Sequence, residues 1–243
     1  MRSEFPDVWK TNLVIPVLKK YNNNSLDNLR PISLVSILSK VFELILRDQI
    51  ECHIYKFKFL EKLQSRFRNN HSTGTALLQV IDDMAYHLDK RNSFVVLILL
   101  DFSKAFDFLN HILILQKLML FFNFDNTTLK LIYNYLSNKC QKVIINDKLS
   151  YSKHIQSGVV QGSILGPLLF SLFINDLPLA VKYSSCHLYA DDCQIYLGGI
   201  KDNILETFNK INRDLSSTYI RLVYIKWNIF KYYKDTGDFD FEK

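Results

Sequence analysis

A chain of 243 residues is long enough for one large domain or two small ones. Hydrophobic residues make up 48% and charged residues 22%, ordinary globular usage that excludes disorder as the default state. The net charge is +6, and residues 1–70 carry 12 Lys/Arg against 7 Asp/Glu, a basic lobe suited to a polyanionic partner. Cys52, Cys140, Cys186 and Cys193 form no Cys-x-x-Cys pair, so a zinc ribbon is unsupported, and nothing in their number or spacing suggests a disulfide scaffold, which fits a reducing compartment. Cys186, His187 and Cys193 read as small buried residues on two strands rather than as a metal site. The first residues lack the apolar stretch of a signal peptide, and the apolar regions at 94–100 and 164–174 fall short of the ~20 residues of a membrane span. The expectation is a soluble intracellular protein of the nucleus or cytoplasm, with no membrane partner.

In chain order, Asn22, Asn23, Asn24 and Ser25 mark a loop. Ser36 is placed to cap a helix running to about residue 54, with Ile37, Val41, Leu44 and Ile45 on its apolar face. Spacing of Leu77, Val80, Ile81, Met84 and Leu88 predicts a second helix over 73–90. The continuous aliphatic run 94–100 reads as a strand buried on both faces, ending at Asp101. Helices are expected over 112–122 and 127–136, a strand over 142–146 and a turn at Asp147 and Lys148. Residues 158–166 form a Gly- and Ser-rich loop, and Pro167 suits the first turn of the apolar helix that follows. Short strands at 187–189 and 193–197 flank Ala190, Asp191 and Asp192 as a hairpin turn. Isolated strands and helices without regular alternation argue an α+β fold.

The chemistry lies in the carboxylates. A strand ends on Asp101, and a hairpin turn presents Asp191 and Asp192. Acids held at rigid strand ends suit a hard cation such as Mg²⁺, which takes oxygen ligands and substrate phosphates. Adjacent strand residues face opposite ways, so Asp191 is expected to be the main ligand and Asp192 a weaker contact. Taken alone, each acid is more readily ordinary turn and strand-end chemistry than a metal ligand.

The surrounding residues carry a resemblance. Tyr189-Ala190-Asp191-Asp192 is similar to the YADD box of reverse transcriptases. Leu100-Asp101-Phe102-Ser103-Lys104-Ala105-Phe106-Asp107 resembles the LDFSKAFD motif of LINE-type polymerases, followed by Asn110-His111 and Lys117-Leu118. Residues 158–170 resemble GVPQGSVLGPLLF and residues 174–178 INDLP. Upstream, Trp9-Lys10, residues 16–19 and residues 28–34 resemble the fingers motifs, with Lys40 and Glu43 in place. The series runs in order from about Trp9 to Leu197 and resembles the reverse transcriptase domain of a non-LTR (LINE-type, jockey-like) retrotransposon, truncated at both ends.

The resemblance implies a right-hand polymerase fold whose palm sheet carries the YADD hairpin. Fingers are expected at 1–93 with further elements in 111–155, palm at 94–110 and 156–200, and a divergent tail at 201–243. It implies RNA-directed DNA polymerase activity on an RNA template, a DNA primer and dNTP, with Mg²⁺ or Mn²⁺. Asp101, Asp191 and Asp192 would be the catalytic, metal-binding acids, with Phe102 beside them at the metal. Lys19 and Arg30 would hold the triphosphate and Phe106 would be the steric gate against a 2′-hydroxyl. Gln161, Gly162, Tyr189 and Ala190 would complete the nucleotide pocket. Asp107 reads as structural and Lys104 as a surface charge.

Val160 stands where the family has Pro, removing a φ restraint beside Gln161. Ser65 stands where a Gly is usual, and Leu29 replaces Tyr. Beyond Ser217 the expected lead into a thumb does not align, as a frameshift or splice junction would produce, and the expectation is of a piece without the endonuclease domain that a complete element carries. The alternatives are a catalytic polymerase domain, an inactive relic that binds nucleic acid at most, and a transposon-derived interaction protein.

Overall fold

The computed structural model describes residues 4–18, 28–59, 72–102, 105–107, 109–189 and 192–235, with backbone alone at 73, 101, 105 and 222–235. Two compact units emerge. The first is built from the described parts of Met1–Lys58 and Lys104–Phe170, the second from those of Phe59–Ser103 and Ser171–Phe239.

In the first unit, strands β1 (Thr11–Leu18) and β2 (Leu29–Leu34) pair antiparallel, and β1 pairs parallel with β4 (Cys140–Ile145). The short strands β5 (Lys148–Leu149) and β6 (Lys153–His154) both pair antiparallel with β4. Asn146 and Asp147, both at positive φ (46° and 61°), make the two-residue β4–β5 turn. Asn and Asp tolerate that left-handed backbone better than other side-chain-bearing residues.

Helices α1 (Ile37–Phe57), α3 (His111–Leu120) and α4 (Asn126–Leu136) are each started by a polar cap. Ser36, Asn110 and Asp125 accept from the backbone N–H groups of Ser39, Leu113 and Thr128, satisfying donors that a helix start leaves open. Ile114, Leu115 and Leu118 of α3 and Leu129, Ile132 and Leu136 of α4 are almost fully buried and form the heart of this unit's core.

The buried side of α1 departs from its apolar pattern. Ile37, Val41, Leu44 and Ile45 are exposed, Ile37 by 80%, while Ser39, Glu43, Leu46, Ile50 and Ile54 turn inward. A carboxylate displaces an aliphatic stripe here because Glu43 has work inside. Its Oε1 accepts from Ser39 Oγ at 3.2 Å, and its Oε2 accepts from the N–H groups of Ile164 and Leu165 at 2.7 and 3.2 Å. Those amides open α5 (Leu165–Phe173), so a buried negative charge meets the positive end of a helix. Lys139, 5% exposed, stands 3.5 Å above the Tyr135 ring and 5.5 Å from Phe5. Burial pushes its ammonium down to about 8, with Glu43 opposing that shift and Lys10 adding to it.

The second unit is a three-stranded antiparallel sheet of β3 (Ser93–Asp101), β8 (Asp192–Ile200) and β7 (Ser185–Tyr189), in the order β3-β8-β7. Two helices serve it, α2 (Thr73–Leu88) and the long α6 (Ile204–Asp235). A reciprocal capping box between Ser72 and Thr75 starts α2. Gly198 and Gly199 of β8 let both helices approach, since a Cβ on Gly198 would strike the His87 ring and one on Gly199 would strike Thr207 and Phe94. β3 is an edge strand rather than one buried on both faces, and Leu97 and Leu99 are exposed. α2 buries Ala76 and Val80 but leaves Leu77, Ile81 and Leu88 exposed. Cys186 and Cys193 are free, buried neighbours across the β7–β8 pair, with sulfurs 3.8 Å apart. Among the described residues no helix is long and apolar enough to cross a membrane.

Two outcomes test the buried charges of the first unit. Glu43→Gln can keep an acceptor for the Ile164 and Leu165 amides and an NH₂ for Ser39 Oγ but removes the negative charge from the start of α5, and is expected to lower the urea unfolding free energy by about 1–2 kcal/mol. The folded-state pKa of Lys139 lies below its unfolded value of 10.5. The unfolded chain therefore binds more protons between pH ~8 and ~10.5, and this residue's contribution to stability rises with pH across that window. Subtracting the urea-derived pH profile of Lys139→Met from that of the parent protein should leave a rising difference between pH 8 and 10.5 and a flat one below.

Candidate functional site

In the second unit the sheet register decides which acids meet. β3 and β8 pair without a break from Ser93↔Ile200 to Asp101↔Asp192, and β7 pairs Tyr189 with Asp192. Asp101, Asp192 and Tyr189 therefore stand in one row across three strands. Opposed Cα atoms in such ladders lie about 4.5–5.5 Å apart. Asp192 is exposed at the start of its strand, Tyr189 is half-buried, and the next pair along, Leu188 and Cys193, is buried. Tyr196, further along β8, donates its hydroxyl to Asp83 of α2 at 2.6 Å, and desolvation together with that carboxylate pushes the phenol's pKa up. Ala190 and Asp191 lie outside the described residues, as does the Asp101 side chain. Among the described side chains no three His, Cys, Asp or Glu groups converge as a metal cage.

The first unit holds the Gly- and Ser-rich loop. Gly158 has φ +85° and Gly162 φ +101°, and each sits where a side chain has no room. A Cβ on Gly158 would lie 2.6 Å from the Phe106 carbonyl oxygen, and one on Gly162 2.9 Å from that of Ser33. Backbone bonds tie the loop down on both sides. Val159 donates to Phe106 and Gly158 to Leu109, both at 2.7 Å, and Gln161 accepts from Ser33 at 2.9 Å. Val160, standing where the resembled motif has Pro, is buried. Neighbouring hydrogen bonds thus restrain the loop where a ring would have restrained φ. His111 bonds the Gly158 carbonyl at 2.7 Å, and burial lowers its pKa, so the imidazole stays neutral near pH 7 and donates.

Beside this loop lies a cleft of about 230 Å³ lined by Pro31, Ser33, Asp107, Gln141, Gln156 and Gln161, among others. Gln161 Nε2 donates to Asp107 Oδ1 at 3.4 Å, a long bond between two residues of the lining. Phe106 sits in a single 3-10 turn, Ala105–Asp107, half-buried with its ring centroid 5.2 Å from that of Phe170.

The expected residues are therefore distributed. Phe106, Gln161 and Gly162 come together in the first unit. Arg30 is exposed on β2, next to the cleft residue Pro31 but not itself in the lining. Asp101, Asp192 and Tyr189 come together in the second unit, and Phe102 follows directly on β3, half-buried. Lys19, Lys104, Ala190 and Asp191 lie outside the described residues. Gln141, Ile155 and Gln156 had no motif to announce them. Only the pairing of β4 with β6 brings their segments to the cleft. Asp107, expected to be structural, accepts the long bond from Gln161.

Residues 17–236 match the family described as reverse transcriptase (RNA-dependent DNA polymerase). The chain is 29% identical over 203 residues to the probable RNA-directed DNA polymerase from transposon BS of Drosophila melanogaster, covering 77% of this chain and 21% of that one. It is 32% identical over 176 residues to the RNA-directed DNA polymerase from mobile element jockey of the same organism, covering 72% and 19%. The chain thus spans about a fifth of the length of these relatives. Among solved structures, the apo telomerase of Candida tropicalis truncated from its C-terminal domain matches with a TM-score of 0.59 at 14% identity, over 89% of this chain and 48% of that one. That likeness is one of fold.

The glycines give a contrast that can be measured. Gly162→Ala is strained by φ and by the Ser33 oxygen together, and is expected to cost about 1–3 kcal/mol in urea unfolding. Gly74→Ala, on a helical turn where the new Cβ would meet nothing nearer than 3.6 Å, should instead stabilise by about 0.5–1 kcal/mol.

Proposed function

The chain belongs to the reverse transcriptase family, beside the polymerases of jockey-like non-LTR retrotransposons, and from that premise we propose that it extends a DNA 3′ end on an RNA template with deoxynucleoside triphosphates. The observation that carries the reading is the β3–β8 register, which sets the strand-ending Asp101 opposite Asp192 at the hairpin. In this reading residues 1–93 and 111–155 are fingers, residues 94–110 and 156–200 are palm, and residues 201–243 are a divergent remnant of the lead into a thumb.

The donor set suits Mg²⁺ or Mn²⁺. The acids at the sheet end are carboxylates, while the nearby thiols of Cys186 and Cys193 are buried side chains within the sheet. Asp101, Asp191 and Asp192 would hold the ions, with Phe102 contributing through its backbone. When bound, such ions acidify the primer 3′-hydroxyl and neutralise charge on the departing pyrophosphate.

The remaining work belongs to the chain's own groups. Lys19 and Arg30 would bind the triphosphate tail as charge partners. Phe106, fixed through its carbonyl by Val159, would fill the space that a ribose 2′-hydroxyl needs and so select deoxynucleotides. Gln161, bonded to Asp107, would hydrogen-bond the incoming nucleotide, and Gly162 lets backbone approach it closely. Tyr189 and Ala190 would line the pocket beside the acids. Catalysis of this kind draws on positioning and electrostatics, so no protein nucleophile is required.

A second reading, a relic that binds nucleic acid without polymerising, draws on Val160 in place of Pro and on the tail beyond Ser217. One experiment separates the two. Purified protein is incubated with poly(rA)/oligo(dT), dTTP and Mg²⁺ or Mn²⁺, beside Asp191→Asn and Asp192→Asn. Extension is expected from the parent protein, falling by at least about 100-fold in Asp191→Asn and less steeply in Asp192→Asn. Folded protein that binds the duplex but extends no better than Asp191→Asn would establish the relic.

A further inference from the structure

A second polar cleft, about 700 Å³ in volume, lies wholly within the second unit, away from the row of acids. One wall is the face of α6 that carries Asn209, Asn212 and Arg213, one helical turn apart. The other is the turn of Lys182 and Tyr183, which precedes β7 at the strand end opposite Tyr189.

Asp214 binds the two walls together. Its carboxylate, 1% exposed, accepts from the N–H groups of Lys182 and Tyr183 at 2.9 Å and of Ser184 at 2.7 Å. These three bonds hold the carboxylate against the turn, so the lining sets the two cations Lys182 and Arg213 against one backbone-bonded anion. Lys182 and Arg213 are both exposed, and neither makes an ion pair among the described residues. Tyr183 is 38% exposed, with the Lys182 ammonium 5.6 Å from its ring centroid. Two cations without an ion-pair partner among the described residues, two carboxamides and an exposed aromatic ring in one groove suit a single nucleic-acid strand. Phosphates take the cations, and a base stacks on the ring whatever its identity.

We propose that this cleft is an accessory binding site for single-stranded nucleic acid, with phosphates against Lys182 and Arg213 and a base stacked on Tyr183. Asn209 and Asn212 supply amide hydrogen bonds to the strand. The site does not depend on polymerisation and would persist in a chain that only binds.

The test uses the whole chain and fluorescein-labelled oligo(rU) of eight nucleotides, with affinity followed by anisotropy from 50 to 300 mM salt. Lys182→Gln/Arg213→Gln is expected to weaken binding about tenfold and to reduce the log–log salt slope by about 1.4, two single-strand phosphate contacts at 0.7 each. Lys90→Gln/Lys201→Gln removes the same charge elsewhere on the unit and is expected to leave both unchanged. Tyr183→Ala should weaken binding about tenfold with the slope unchanged. A 4-thiouridine version of the oligonucleotide, photo-crosslinked to the unaltered protein, should mark the peptides containing Tyr183 or residues 209–213, a readout that needs no variant to fold. Crosslinks confined to residues 1–58 and 104–170, equal loss in the two double variants, or displacement of the strand by oligoglutamate at equal charge would each overturn the proposal.

Discussion

Nine consecutive residue pairs between β3 and β8 hold the one relation on which the proposed chemistry depends, Asp101 opposite Asp192. Ladders are unforgiving in this respect. A slip of one residue would set Asp101 against Cys193 and turn every side chain of the strand to the other face. The far end of the ladder is guarded by Gly198 and Gly199, where His87 of α2 and Thr207 of α6 press against the strand too closely for any Cβ. Both helices therefore seat closely on β8, six to seven residues along the strand from Asp192.

The first unit solves a different problem, holding an irregular loop still. Regular structure cannot do it, so the loop at 157–164 is pinned by donors and acceptors from Phe106, Leu109, Ser33 and Glu43. Glu43 is the most exposed to failure, since a buried carboxylate is tolerable only while its hydrogen bonds remain intact. Lys139, buried among aromatic rings nearby, shows the same trade, with a cation held where its charge is least welcome.

Local signals were the legible part of this fold. Ser36, an isolated Ser before an apolar run, does cap α1, and β7 and β8 pair antiparallel as strand chemistry placed them, except that Asp192, read as a turn residue, already belongs to β8. The family was legible because its motifs are contiguous words. What periodicity misjudged was direction. The aliphatic stripe of α1 satisfies every rule for a core face, yet Glu43 and Ser39 lie inside it because α5 needs a cap that only tertiary packing reveals. Leu97 and Leu99 likewise mark an edge strand that reads as central, since a run of aliphatics does not say how many neighbours it has. The cleft residues Gln141 and Gln156 were invisible for a related reason. They are joined by strand pairing across a hairpin, and neither belongs to a recognisable word.

Asp214 has a consequence for how motion is spread through the second unit. Three successive amide protons, those of Lys182, Tyr183 and Ser184, point at one carboxylate that burial would raise in pKa but that these bonds hold below the usual range. An adjacent anion also repels hydroxide, the catalyst of amide exchange. A stretch that looks like an ordinary surface turn should therefore give up its hydrogens to heavy water as slowly as the strand it introduces, and only when α6 itself lets go.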